Sequence, residues 1–182
     1  MRKESPDNDC GTMDPFATLG LPRSFDVDLA ALEKTHRDLS RALHPDRHVA
    51  SMASERRESL SRAIEVNEAW RIVRDPIRRA ESLLSLQGVG VGEDREPKAA
   101  PEFLMEMLEQ REELSRAIAE GDRGSLRNLA EAIRARAAQA ERDLSRGFAD
   151  GAASSLLGRL GELRFYRRFL DEVSAAEDER MG

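Results

Sequence analysis

The residues best equipped for chemistry lie together at His44-Pro45-Asp46-Arg47-His48. An imidazole beside a carboxylate can move protons, and two histidines four apart can share a metal ion if one helix face carries both. Pro45 opposes that second arrangement. It has no N–H, fixes its own φ and pushes His44 out of the α region. A metal would also need a third ligand, and no residue has a recognisable spacing to the pair. The chain has no glycine-rich phosphate loop, and no serine or cysteine stands in a recognisable nucleophile motif. These residues argue against an enzyme and against a metal site. His44, Pro45 and Asp46 then form a polar turn that ends a helix, with Asp46 free to accept from backbone N–H groups and Arg47 beside it.

The flanking segments must position that turn. Leu29, Leu32, His36, Leu39 and Leu43 recur at helical spacing and predict a helix over about 28–43, with Asp26 or Asp28 as its N-cap. His36 falls in this apolar stripe and is expected to be packed. Lys34, Arg37 and Arg41 gather on the other side, with Glu33 and Asp38 nearby. After the turn, Ser51 or Ser54 can cap a helix that runs to about Arg74. Its expected inner stripe is Leu60, Ala63, Ile64, Asn67, Trp70 and Val73. Asp75-Pro76 breaks it, and Pro76 is suited to the first position of a shorter helix with Ile77, Ala80, Leu83, Leu84 and Leu86 as apolar residues. Upstream, Phe16, Leu19 and Leu21 suggest a short helix closed by Gly20 and Pro22, after a polar tail over 1–13 expected to be disordered.

Composition agrees with helices. The 182 residues are 40% apolar, 35% charged and only 4% aromatic, and no stretch alternates as a half-buried strand would. An all-α protein is expected. The net charge of −6 comes from interleaved basic and acidic residues, so no basic block favours nucleic acid. No apolar run approaches the ~20 residues that span a bilayer, and a cytoplasmic protein without a membrane partner is expected. Cys10 is the single cysteine, which excludes an intramolecular disulfide.

Three glycines and two prolines among charges mark 88–101 as a linker. A helix follows over about 103–119. At 100° per residue, Phe103, Met107, Leu114 and Ile118 share one side, and Leu104, Met105 and Leu108 form a separate flank beside Glu109 and Glu112. A small bundle has no need of that second patch. Gly121 and Gly124 suggest a turn. A helix over about 125–145 carries Leu126, Leu129, Ile133, Ala137, Ala140 and Leu144 on one stripe. Gly147 and Gly151 suggest the next turn. The last helix, over about 152–175, has Leu156, Leu160, Leu163, Tyr166, Leu170 and Val173 inside, and Phe165 roughly opposite Leu163.

The basic helix, the His44-Pro45-Asp46-Arg47 tip and the helix ending in Val66-Asn67-Glu68-Ala69-Trp70 resemble a J-domain. Phe16-Ala17-Thr18-Leu19-Gly20-Leu21-Pro22, Arg79-Ala80-Glu81-Ser82-Leu83-Leu84 and above all Phe103-Leu104-Met105-Glu106-Met107-Leu108-Glu109-Gln110-Arg111-Glu112-Glu113-Leu114 extend the likeness. The chain resembles the HscB family, J-domain co-chaperones of iron–sulfur cluster assembly. That resemblance implies a J-domain over 14–88, a linker over 89–100 and a three-helix bundle over 101–178. It implies that His44, Pro45 and Asp46, supported by Arg47, Arg41, Arg37 and Lys34, engage a DnaK-type chaperone of the HscA type and stimulate its ATPase. It implies that Leu104, Met105, Leu108, Glu109, Glu112 and Phe165 hold a scaffold protein of the IscU type. Nothing in the sequence demands more than a monomer. Arg116 replaces an acidic residue found in relatives, Thr35 and His36 replace larger ones, and the cysteine-rich zinc extension of eukaryotic relatives is absent. A general J-domain co-chaperone with another client is the main alternative, and a structural helical adaptor is the third.

Overall fold

The computed structural model of the chain describes residues 13–44, 53–92 and 99–178. Residues 1–12 of the expected tail, with Cys10, lie outside the described residues, as do Pro45, Asp46, Arg47 and His48, the cap candidate Ser51, and 93–98 of the expected linker. Seven α-helices and no strand occur among the described residues, so the protein is all-α. They fall into two compact units that divide between Leu86 and Gln87.

The first unit holds α1 (Pro15–Thr18), α2 (Leu29–Ala42), α3 (Ala53–Arg74) and α4 (Pro76–Leu86). Aspartates start three of these helices. Asp14 accepts from the N–H groups of Phe16 and Ala17, Asp28 from Ala30 and Ala31, and Asp75 from Ile77 and Arg78, at 2.9–3.1 Å. Phe16, Leu19, Phe25, Leu32, Val66, Ala69, Val73, Ala80, Leu83 and Leu84 are buried, so α3 is the element that α1, α2 and α4 pack around. Arg79 is buried as well. It donates to the Val73 carbonyl at 2.8 Å, satisfying an acceptor at the end of α3, and its guanidinium lies 4.7 Å from the Phe25 ring centre.

Two expected stripes need correction. In α2 only Leu32 is buried, and Leu29 is half exposed. In α3 the buried residues are Val66, Ala69 and Val73, whereas Leu60 and Ile64 are 54% and 61% exposed. No residue of α3 before Val66 is buried. The buried residues sit in the C-terminal half of α3, and Leu60 and Ile64 lie before it. His36 packs as expected: its ring stacks on Trp70 with centres 4.7 Å apart, and its Nε2 lies 2.8 Å from the side-chain oxygen of Asn67.

The second unit holds α5 (Pro101–Glu120), α6 (Arg123–Ala149), a short 3-10 helix (Ala153–Leu156) and α7 (Leu157–Asp178). Met107, Leu114, Leu126, Leu129, Ile133, Leu144, Leu160, Leu163, Tyr166, Phe169 and Val173 fill the core of this three-helix bundle. Phe169, 1% exposed, is a core residue that the sequence reading left out, and Leu170 next to it is only half-buried. α6 runs a turn further than the glycines suggested. Gly147 is helical because its missing side chain makes room for Leu156: a Cβ there would lie 2.2 Å from a Leu156 methyl carbon. Gly151, at φ 73°, makes the turn instead.

Between α5 and α6, Gly121 adopts φ 73° and ends one helix, and Asp122 starts the next. The Ser125 hydroxyl, then the N–H groups of Ser125 and Gly124, hold the Asp122 carboxyl below its ordinary value of 3.8. A carboxylate with a lowered folded-state pKa adds stability that is present above the unfolded pKa and lost as pH falls through the folded one. Asp122→Asn keeps an N-cap but cannot titrate. Thermal unfolding is therefore expected to be close to wild type at neutral pH, with a smaller loss of Tm than wild type below about pH 4.

Candidate functional sites

In the first unit, Asp28 fixes the start of α2, and the stacked His36 and Trp70 fix its rotation against α3. That rotation sends Lys34, Arg37 and Arg41 to solvent on one face, and all three are exposed. None is held in an ion pair with another described residue, so their charge is available to a partner. His44 follows directly, exposed, where the Leu43 N–H closes the helix on Leu39 at 3.0 Å. Glu33 and Asp38 are exposed nearby, so the face is mildly basic, and with the imidazole at its end it is suited to electrostatic docking on an acidic surface. Among the described residues no group of three or more His, Cys, Asp or Glu could hold a metal ion.

In the second unit, one helix serves two surfaces. Met107, Leu114 and Ala117 face the bundle interior. Leu104, Met105 and Leu108 face solvent, 53%, 60% and 53% exposed, and they are the exposed large apolar side chains of this unit among the described residues. Glu109 and Glu112 are exposed beside them. Phe165 joins them from α7. It is half-buried, with its ring edge-to-face on Phe103 at 5.7 Å, so it is held rather than simply exposed. Phe103 also meets Tyr166 at 5.9 Å, where burial, then the Glu162 charge, raise the phenol's pKa and keep it neutral.

Arg111 borders this candidate patch, and sequence reasoning missed it. Its guanidinium lies 5.5 Å from the Phe165 ring centre and pairs with Glu172 at 2.6 Å. Its spacing of three from Leu108 placed it beside the patch, but only the pairing of α5 with α7 shows what it grips. Arg136 of α6 pairs with Glu106 and tethers the same helix from its other side.

Residues 99–174 match the family described as HSCB C-terminal oligomerisation domain. A co-chaperone HscB homolog of Ralstonia nicotianae is 41% identical over 119 residues, 65% of this chain and 68% of that protein. One from Neisseria meningitidis is 32% identical over 161 residues, 88% of this chain and 97% of that protein. The structure is similar to chaperone HscB from Vibrio cholerae, with a TM-score of 0.82 and 30% identity over 92% of this chain and 99% of that one. It shares its fold with human co-chaperone protein HscB, with a TM-score of 0.84 and 24% identity over 96% of this chain and 85% of that one.

Proposed function

The chain belongs to the HscB family of co-chaperones, and from that premise we propose that it carries an iron–sulfur scaffold protein of the IscU type to a DnaK-type chaperone of the HscA type. Residues 101–178 hold the scaffold through Leu104, Met105, Leu108, Glu109, Glu112 and Phe165. Residues 14–88 present His44, Pro45 and Asp46 to the ATP-bound chaperone and stimulate hydrolysis, with Lys34, Arg37, Arg41 and Arg47 steering the encounter. The chaperone then clamps the scaffold and promotes cluster transfer. The chain makes and breaks no bond itself, needs no cofactor and works in the cytoplasm.

The single observation that carries this reading is the solvent-facing patch of α5. Three large apolar side chains are more than half exposed on a helix whose opposite face already fills a core. Folding gives them no cover, and a rim of acids around a small apolar patch suits a reversible protein interface. The test is calorimetric titration of the scaffold protein with wild type and with Leu104→Ala/Leu108→Ala/Phe165→Ala. Wild type is expected to bind, and the triple variant to bind at least about tenfold more weakly. A wild type that does not bind would remove this client and leave a J-domain co-chaperone with another one. Equal binding by both would move the site elsewhere on the chain.

A further inference from the structure

Glu172 of α7 is not one of the patch residues, yet it closes a brace that ends on one of them. Phe103 and Phe165 meet edge-to-face at 5.7 Å. Eight residues further along α5 and seven further along α7, Arg111 and Glu172 pair at 2.6 Å. The two helices therefore run in the same direction, and Leu104, Met105 and Leu108 lie between the two contacts on α5. Helical side chains lean towards the N-terminus, so Arg111 reaches back over Phe165, and its guanidinium lies 5.5 Å from the ring centre. Glu172, about 10.5 Å along α7 from Phe165, leans back as well and accepts from the same guanidinium. The pairs Arg136–Glu106 and Arg159–Asp143 also join two helices of this unit. Arg111–Glu172 differs from them because its arginine also lies against a ring of the candidate patch.

Both members of this pair are about half exposed, so it adds little to folding. Its effect is on direction. A guanidinium is planar and stacks on an aromatic face, and a carboxylate bound to one of its nitrogens fixes where that plane sits. Without Glu172 the long Arg111 side chain can turn out to water or across Leu108, one helical turn earlier, and uncover Phe165. We propose that Glu172 is a positioning residue for scaffold binding. It sets affinity without touching the scaffold, by holding Arg111 across Phe165 and so fixing the angle at which the ring is presented. This rests on the scaffold reading given above and adds to it a residue outside the contact.

Calorimetric titration of the full chain with a scaffold protein of the IscU type tests the proposal, with NMR of the free chain beside it. Glu172→Ala is expected to bind about two- to fivefold more weakly than wild type, the scale of one exposed ion pair or cation–π contact. Glu172→Gln can still accept from Arg111 and is expected to restore most of the loss. In a Phe165→Leu background, which has no ring to position, Glu172→Ala is expected to cause no further weakening. In the free chain, the Arg111 side-chain protons are expected to be shifted upfield by the Phe165 ring in wild type and to lose that shift in Glu172→Ala. Glu172→Ala binding as wild type does, an equal weakening in the Phe165→Leu background, or an unchanged Arg111 shift would each overturn this inference and leave the scaffold reading standing. A wild type that does not bind the scaffold would remove that reading and this inference with it.

Discussion

His44→Gln is expected to abolish the chain's stimulation of its partner chaperone's ATPase while leaving the helices and scaffold affinity intact. His44 is exposed at the end of α2, beyond Leu43, and contributes nothing to the core around Phe16 and Val73. Substitution at such a surface position usually changes stability by no more than about 0.5 kcal/mol. Loss of stimulation in a folded variant therefore reports on the contact itself. The measurement is steady-state ATP hydrolysis by the chaperone, with circular dichroism as the control for folding. A variant that stimulates as wild type does would remove His44 from the mechanism. A wild type without any effect on hydrolysis would remove the ATPase role altogether.

Phe16→Ala should have the largest effect on stability. Phe16 is fully buried on a helix of only four residues that packs against α3, with Pro15 and Leu19 buried beside it. Emptying such a site costs about 3–5 kcal/mol, the transfer of the ring plus the cavity left behind. A small domain has only about 5–15 kcal/mol in all. Thermal unfolding is expected to show an early transition for the first unit, with ATPase stimulation lost at the temperature where it melts. The second unit has its own core around Ile133, Leu144, Leu160 and Phe169. Scaffold binding is accordingly expected to persist in Phe16→Ala. Simultaneous loss of both activities at that temperature would show that the two units do not fold separately.

Helix positions were legible where side chains and backbone chemistry agreed. Asp28, Pro76 and Gly121 each mark a helix end by a mechanism that works within a few residues, and all three do so here. The start of α6 was misread because Gly124 looked like part of the turn, whereas Asp122 had already begun the helix. Stripes were legible where a helix is covered along its whole length, as in α6. They failed in α3, because periodicity cannot say where the neighbours stop. Leu60 and Ile64 have the right spacing and lie beyond the core. In α7, Phe165, Tyr166, Phe169 and Leu170 offer two overlapping stripes, and only packing chooses Phe169.

The patch on α5 was legible because one helix carries both it and its core face, so angles alone separate Leu104, Met105 and Leu108 from Met107 and Leu114. Arg111 was not, since its partner Glu172 is 61 residues away and no local pattern joins them. The tip shows a third case. Spacing predicts that Lys34, Arg37 and Arg41 share one side of α2, and all three are exposed there with His44, while His36 of the same helix stacks on Trp70 of α3.

The grip on Phe165 has a thermodynamic consequence. An exposed aromatic side chain that samples several rotamers must give up that freedom when a partner closes over it, at about 0.5–1.5 kcal/mol for each side chain immobilised. Phe103 meets Phe165 edge-on at 5.7 Å, and Arg111, anchored on Glu172, lies against its face. Much of the ordering has therefore already taken place during folding. A partner that binds there as proposed would meet a ring that is preset, and its entropy of binding would be correspondingly less unfavourable than the ring's exposure alone would suggest.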